Sequence, residues 1–323
     1  MIPREMFAVL LALCGVAALT AREPQLGNLR LAVGERVRYQ MTFTSTVELL
    51  RSGVVEDPQA PGKVGLYVSA TVSIEPLMLP ADRAELKIRF TFDETASRIV
   101  SDFYEPTADA LGEEYRALRG KSFEFVRTAE GKLRAGADFR EAVRTELAAN
   151  RVTEWLDELL GSSGIPPGTK PGQKWSSQEA LSEGPFSGML RRTESTYVRD
   201  GPCRHAGYED VKAQLTRQYG SENCAVVLTR ATIRRAANAP SDLTAPEYRA
   251  RGMRTAGHWS GSGETLKYIS LARGLLVSSA SHWDEKLELT VMLEGARFQQ
   301  SSRVKAGGQI VQLSPAALPD VRK

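Results

Sequence analysis

Alternation is the strongest pattern in the chain. Val37, Tyr39, Met41, Phe43, Val47 and Leu49 share one parity, and Arg38, Gln40, Thr42, Thr44, Thr46 and Glu48 share the other. Successive side chains of a strand point to opposite faces, so this segment predicts a strand with one core face and one wet face. Leu66, Val68, Ala70, Val72 and Ile74 repeat the pattern. Ala84, Leu86, Ile88, Phe90 and Phe92 do so again, against Glu85, Lys87, Arg89 and Thr91. Pro-, Gly- and Asp-rich stretches separate them at 56–62 and 76–82, which predicts antiparallel pairing through short connections.

The middle changes period. Leu111, Tyr115 and Leu118 make one helical stripe over 107–119, with Gly120 as its stop. A hairpin over 122–133 turns at Glu130-Gly131. Asp138-Phe139-Arg140-Glu141 has capping-box form, with a carboxylate at the cap and Glu three positions on. From Phe139 to Leu160 apolar residues keep helical spacing, with a break expected at Asn150 and a stop at Gly161 before Pro166-Pro167.

The second half returns to β. Strands are predicted at 189–198, 206–219 and 224–235. Cys224 to Leu228 is apolar on both parities, as a central strand buried on both faces would be. A meander follows over 263–270, 275–281 and 287–293, with turns at Arg273-Gly274 and 282–285. Residues 236–252, with Pro240 and Pro246, read as an exposed loop.

The N-terminus adds a compartment. An uncharged apolar run, Phe7 to Leu19, ends in Leu19-Thr20-Ala21 before Arg22-Glu23-Pro24. That is the order of a cleavable signal peptide. The run is about 13 residues, short of the roughly 20 that cross a bilayer. Cleavage after Ala21 would remove Cys14, which follows bulky Leu13 and so lacks the small residue a lipidation site wants. Two cysteines then remain, Cys203 and Cys224, and an oxidising compartment favours their pairing as a disulfide. The expected product has a periplasmic or secreted location and no integral membrane span.

Charge excludes one partner class. The net charge of +3 is mild, and the pairs Arg191-Arg192 and Arg234-Arg235 stand apart, without interleaved aromatics. Nucleic-acid binding wants a concentrated basic patch, so no nucleic acid is expected.

Catalytic motifs are missing from the sequence. Gly120-Lys121-Ser122 ends like a phosphate loop, but Tyr115 stands where its first glycine belongs. Gly261-Ser262-Gly263 starts like a dinucleotide fingerprint, but Leu266 replaces the third glycine. There is no G-x-S-x-G elbow, and Ser302 to Lys305 fits S-x-x-K without its companion motifs. The three histidines are scattered. His258-Trp259 and His282-Trp283 form two similar dipeptides, which admit either a metal site assembled from His258, His282 and Asp284 or tryptophans packing at a sheet edge beside exposed histidines. Their spacing carries no ligand signature, which favours the packing reading. Glu113-Glu114 and Asp157-Glu158 read as solvated helix surface. No cofactor is implied.

One resemblance emerges from these segments. Ile165-Pro166-Pro167 leads to Pro171-Gly172-Gln173-Lys174-Trp175, and Tyr268 to Leu276 lies in the later meander. The chain resembles uncharacterised secreted β-rich bacterial proteins in which proline, glycine, two residues and tryptophan open the second β half. It is similar in layout to the envelope lipoprotein carriers, whose half-barrel sheet wraps helices and holds lipid or acyl chains. No functional residue carries over from either.

The fold expected is mainly β (α+β): a large curved antiparallel sheet, a half-barrel or open barrel, with one or two packed helices. A signal peptide over 1–21 precedes one β-rich domain over 22–314. Two β halves, 30–133 and 172–313, are joined by the helical segment 138–160, and 315–323 is a frayed tail. The expected function is non-enzymatic: an exported soluble envelope protein binding an apolar ligand, a lipid or acyl chain, between sheet and helices. The alternatives are a protein-interaction or scaffolding component of the envelope, and a hydrolase with an unrecognised site around His258 and His282.

Overall fold

The structure is a computed structural model that describes residues 30–53, 62–78, 85–102, 106–128, 133–160, 165–166, 168–181, 184–206, 217–294 and 296–313. The expected signal peptide, Cys14 and the tail lie outside them, as do the turn at Glu130-Gly131 and Gly161.

The chain is mostly β, with one open antiparallel sheet of eleven strands and four short helices. The first half supplies β1 (Val37–Gly53), β2 (Gly62–Met78), β3 (Leu86–Ser101), β4 (Ser122–Arg127) and β5 (Leu133–Ala135). The second supplies β6 (Lys174–Ala180), β7 (Met189–His205), β8 (Arg217–Arg235), β9 (Arg254–Ser270), β10 (Leu276–Leu293) and β11 (Ala296–Gln312). Each half is a meander. They fuse through their extreme strands, β1 with β11, in register from Tyr39 opposite Gln312 to Gly53 opposite Phe298. The free edges are therefore β5 and β6.

This topology explains the helices. Helix α1 (Pro106–Ala117) follows β3, while α2 (Ala137–Ala142) and α3 (Glu146–Leu159) lie between β5 and β6, on opposite edges of the sheet. The chain crosses the sheet's face to get from one to the other, and α3 is that crossing. Near its end, Glu158 pairs with Lys267 of β9 at 3.6 Å, while the charge of neighbouring Asp157 acts on Arg127 of β4. Six strand spacings separate β4 from β9, roughly 29 Å in a flat sheet. Two adjacent residues reach both, so the sheet curls around α3. The Glu158 pair also offsets a local penalty, because a carboxylate at a helix C-terminus opposes the helix dipole. Asp157 and Glu158 are thus half-buried ties to the sheet, which corrects their reading as solvated surface.

The inner face, where the helices pack, is apolar along the first half and at one end of the second, where Tyr197, Val227, Ile269 and Ile310 join the same core. Tyr39, Ile74, Ile88, Phe90, Phe92 and Phe125 close against Phe139, Val152, Leu156 and Leu159. Phe90 meets Phe125 edge-on at 5.2 Å, and Phe123 meets Phe139 at 5.3 Å, a geometry that aromatic quadrupoles favour. Burial of these side chains is the main stabilising term for the helix layer.

Several sequence expectations need correction. Asp138 does not cap α2; Gly136 occupies that position, with no side-chain bond. The helical segment breaks at 143–145 and runs straight through Asn150, because Thr145 restarts it: its Oγ1 accepts from the Ala148 N–H at 3.3 Å and donates to Glu114 at 2.7 Å. Strand β3 continues nine residues past Phe92 to Ser101 across a bulge, where Asp93 turns outward to Arg36 and Ser73. Of the strand expected at 206–219, residues 207–216 lie outside the described residues; β7 extends to His205 and β8 starts at Arg217. The turn expected at 282–285 is mid-strand in β10. Residues 236–252 hold a short helix, α4 (Pro246–Arg249), and buried Thr244 and Ala245. Strand β11 completes the sheet beyond the expected meander.

Cys203 and Cys224 form a disulfide across the β7–β8 hairpin. The hairpin end lies on the outer face, where Ala206 receives a bond from Gln309 at 2.8 Å and donates one to Ser278 at 3.0 Å. Cys224 to Val227 is buried on both faces, as expected of a central strand. Among the described residues, no helix is long and apolar enough to cross a membrane.

A candidate binding trough on the inner face

The inner face of the second half is built differently. Register puts Thr193 and Ser195 of β7, Thr229 and Ala231 of β8, Gly263 and Thr265 of β9, Ser281 of β10 and Ala306 of β11 on it. These side chains are short. They cannot reach the helix layer, so the space above them stays open. It forms a trough of about 320 Å³ with Phe43, Arg151 and Arg191 along its sides.

One wall is α3. Its apolar stripe faces the core, and Arg151, Trp155 and Glu158, spaced three to four apart, share another side; Arg151 lines the trough. Trp155 stacks between Tyr115 and Phe43 at 5.3 and 5.6 Å, and the Arg151 guanidinium lies 5.4 Å over the Phe43 ring while bonding Glu154 at 3.1 Å. Burial pushes the Tyr115 phenol up to about 12. Beneath α3 lies a second space of about 130 Å³, lined by Met41, Val68, Ala70 and Ile310. It shares Phe43, Arg151 and Ser281 with the trough, so the two adjoin.

The opposite wall is made by tryptophan. Trp283 lies flat on Gly261 and Gly263; a Cβ at Gly263 would meet its ring at 2.4 Å. Trp259 covers Gly184 in the same way. Both indole N–H groups donate to Glu285, Trp259 at 2.7 Å and Trp283 at 2.9 Å, one to each carboxylate oxygen. Behind them Phe186, Met189, Ile233 and Leu289 form a small separate core under the 184–188 and 236–253 loops. The tryptophans therefore sit in central strands and not at a sheet edge, which corrects that expectation.

The residues considered for a metal lie on the other face. His258, His282 and Asp284 all point outward, but His258 is opposite Glu288, six positions from His282 and four from Asp284 along the strand. At about 3.3 Å per residue the nearer gap is roughly 13 Å. Asp284 is bound by Arg303, which holds its carboxyl below the usual range. Among the described residues no group of three metal-binding side chains gathers.

Sequence reasoning missed Trp259, Trp283, Glu285 and Arg191 as a group. The signal was present. Trp283 and Glu285 have the same parity as Leu287, Leu289 and Val291, so the alternation already ran through the supposed turn.

No family model and no curated protein matches the chain. Among solved structures, one that is similar is an outer membrane channel from Pseudomonas putida F1, at 9% identity, covering 88% of this chain and 97% of that one, with a TM-score of 0.20. Agreement that loose carries no argument about fold or function.

Proposed function

We propose that this protein is a non-enzymatic binding protein of the cell envelope that holds an amphipathic, acyl-bearing ligand on the inner face of its sheet. The trough carries the reading. It offers apolar walls at Phe43, Trp283 and Val304 beside a few fixed polar groups, and it adjoins the space under α3. Small-molecule sites have that composition, and volumes of several hundred Å³ suit them. The position differs from the expectation of a ligand between sheet and helices. There the core is packed, and the 130 Å³ space is smaller than such a site needs. The ligand instead lies beside α3, its tail reaching beneath it. Export is part of the same reading, supported by the apolar run before Ala21 and by the disulfide.

The test is to fill the trough. Thr265→Trp puts a large ring on its floor without touching the helix core. Lipids retained after mild purification are measured by mass spectrometry, and affinity is measured with a fluorescent fatty-acid probe. The variant is expected to lose the retained lipid and to weaken probe binding about tenfold or more, the scale of one lost buried contact. Unchanged binding in a folded variant would sink the reading. The free edge of β6, whose residues are mostly exposed, would then favour the scaffolding alternative, since an unpaired strand invites another chain.

A further inference from the structure

Glu285 carries a charge that no cation answers among the described residues. Each of the two indole N–H groups requires an acceptor, and the carboxylate supplies one oxygen to each. A half-buried carboxylate costs more desolvation than a neutral acceptor unless a cation answers it. None does: among the described residues, the bonds of Glu285 are those from Trp259 and Trp283, and no Lys, Arg or His lies in ion-pair range. The two indoles use one position on each oxygen. A carboxylate has about four such positions, so two remain open. They are available at the trough, which Glu285 lines together with the face of Trp283. A tryptophan face beside a carboxylate is an environment that attracts organic ammonium groups.

An opposite charge stands across the floor. Arg191 of β7 is in line with Ile233 of β8, Gly261 of β9 and Glu285 of β10, so Arg191 and Glu285 occupy one row, three strands apart. Arg191 lines the same trough and makes no ion pair among the described residues. The other cation there, Arg151, is already engaged with Glu154. The trough thus presents at its two sides one negative and one positive group without an ion pair among the described residues, Arg191 making none even with Glu179, its cross-strand neighbour on β6.

We propose that this row recognises a zwitterionic headgroup, its ammonium held by Glu285 and Trp283 and its phosphate by Arg191. The assignment rests on the ligand-binding reading above and specifies its polar end. The same chemistry occurs on a lipid or on a free phosphate ester of an amino alcohol, and the test separates them. Calorimetry compares dodecylphosphocholine below its micelle concentration, dodecyl maltoside with the same chain and a neutral head, and phosphocholine alone. The protein is expected to bind dodecylphosphocholine about tenfold more tightly than dodecyl maltoside, and Glu285→Gln is expected to erase that preference, read as the ratio of the two affinities in the same variant. Arg191→Gln, at an exposed and unpaired position, is expected to reduce the preference several-fold, and it decides the matter should Glu285→Gln misfold.

Equal binding of the two dodecyl ligands, or a preference that survives both substitutions, overturns the headgroup assignment and leaves the binding reading standing. Binding of phosphocholine alone, with no gain from the chain, supports the headgroup and removes the acyl part. Binding of none of the three removes both.

Discussion

Single residues set the two walls of the trough. At Gly263 any side chain would collide with Trp283, so a glycine in a central strand, normally a weak choice, is what lets an indole lie flat and reach Glu285. Tyr115 does the same for α3, filling the space against Trp155 with a buried phenol. That burial has a pH consequence. The folded-state value, about 12, is above the usual 10. The unfolded chain therefore gives up this proton first as pH rises. The stabilisation is complete below pH 10 and is lost between pH 10 and about 12. Chemical denaturation at pH 9 and pH 11.5 checks this: Tyr115→Phe should lose less stability across that interval than the parent, and equal losses would refute the assignment.

Elements follow from local rules where those rules act alone. Parity along β1 and β2 placed their faces correctly, because alternation is a property of the strand itself. Helix starts were less legible. Asp138 and Thr145 are both good cap residues, and the choice between them is made by Glu114 of α1, whose carboxylate accepts from both the backbone N–H and the hydroxyl of Thr145. Thr145→Ala should cost about 1 kcal/mol, and Thr145→Ser should keep most of it. Denaturant midpoints for the two variants check the cap. A bulge such as that at Asp93 is equally hard to foresee, since one extra residue shifts parity for every residue after it.

Across the whole molecule, the sheet is held in its curve by contacts between distant parts. The pair of Glu158 and Lys267 is about four-fifths buried on each side and ties α3 to β9. Lys267→Met leaves the carboxylate unanswered and should cost about 1–3 kcal/mol. Adding Glu158→Gln should recover part of that loss. A double-mutant cycle that finds the two effects simply additive would show that the tie contributes nothing. The same variant should loosen the trough, because α3 is one of its walls.

The sequence by itself determined the strand faces, the mostly β class, the central position of 224–227 and the two cysteines that pair. All are consequences of short-range periodicity or of composition. Only the tertiary structure decided that β1 pairs with β11, two strands more than 200 residues apart with no local signal joining them. That pairing leaves β5 and β6 as the edges and so sends α3 across the face between them. It also adds Phe43 to the trough that register across β7–β10 builds from Arg191, Trp283 and Glu285. Each of these residues reads as ordinary in its own segment, and their shared environment arises from register across four strands, which a one-dimensional pattern does not contain.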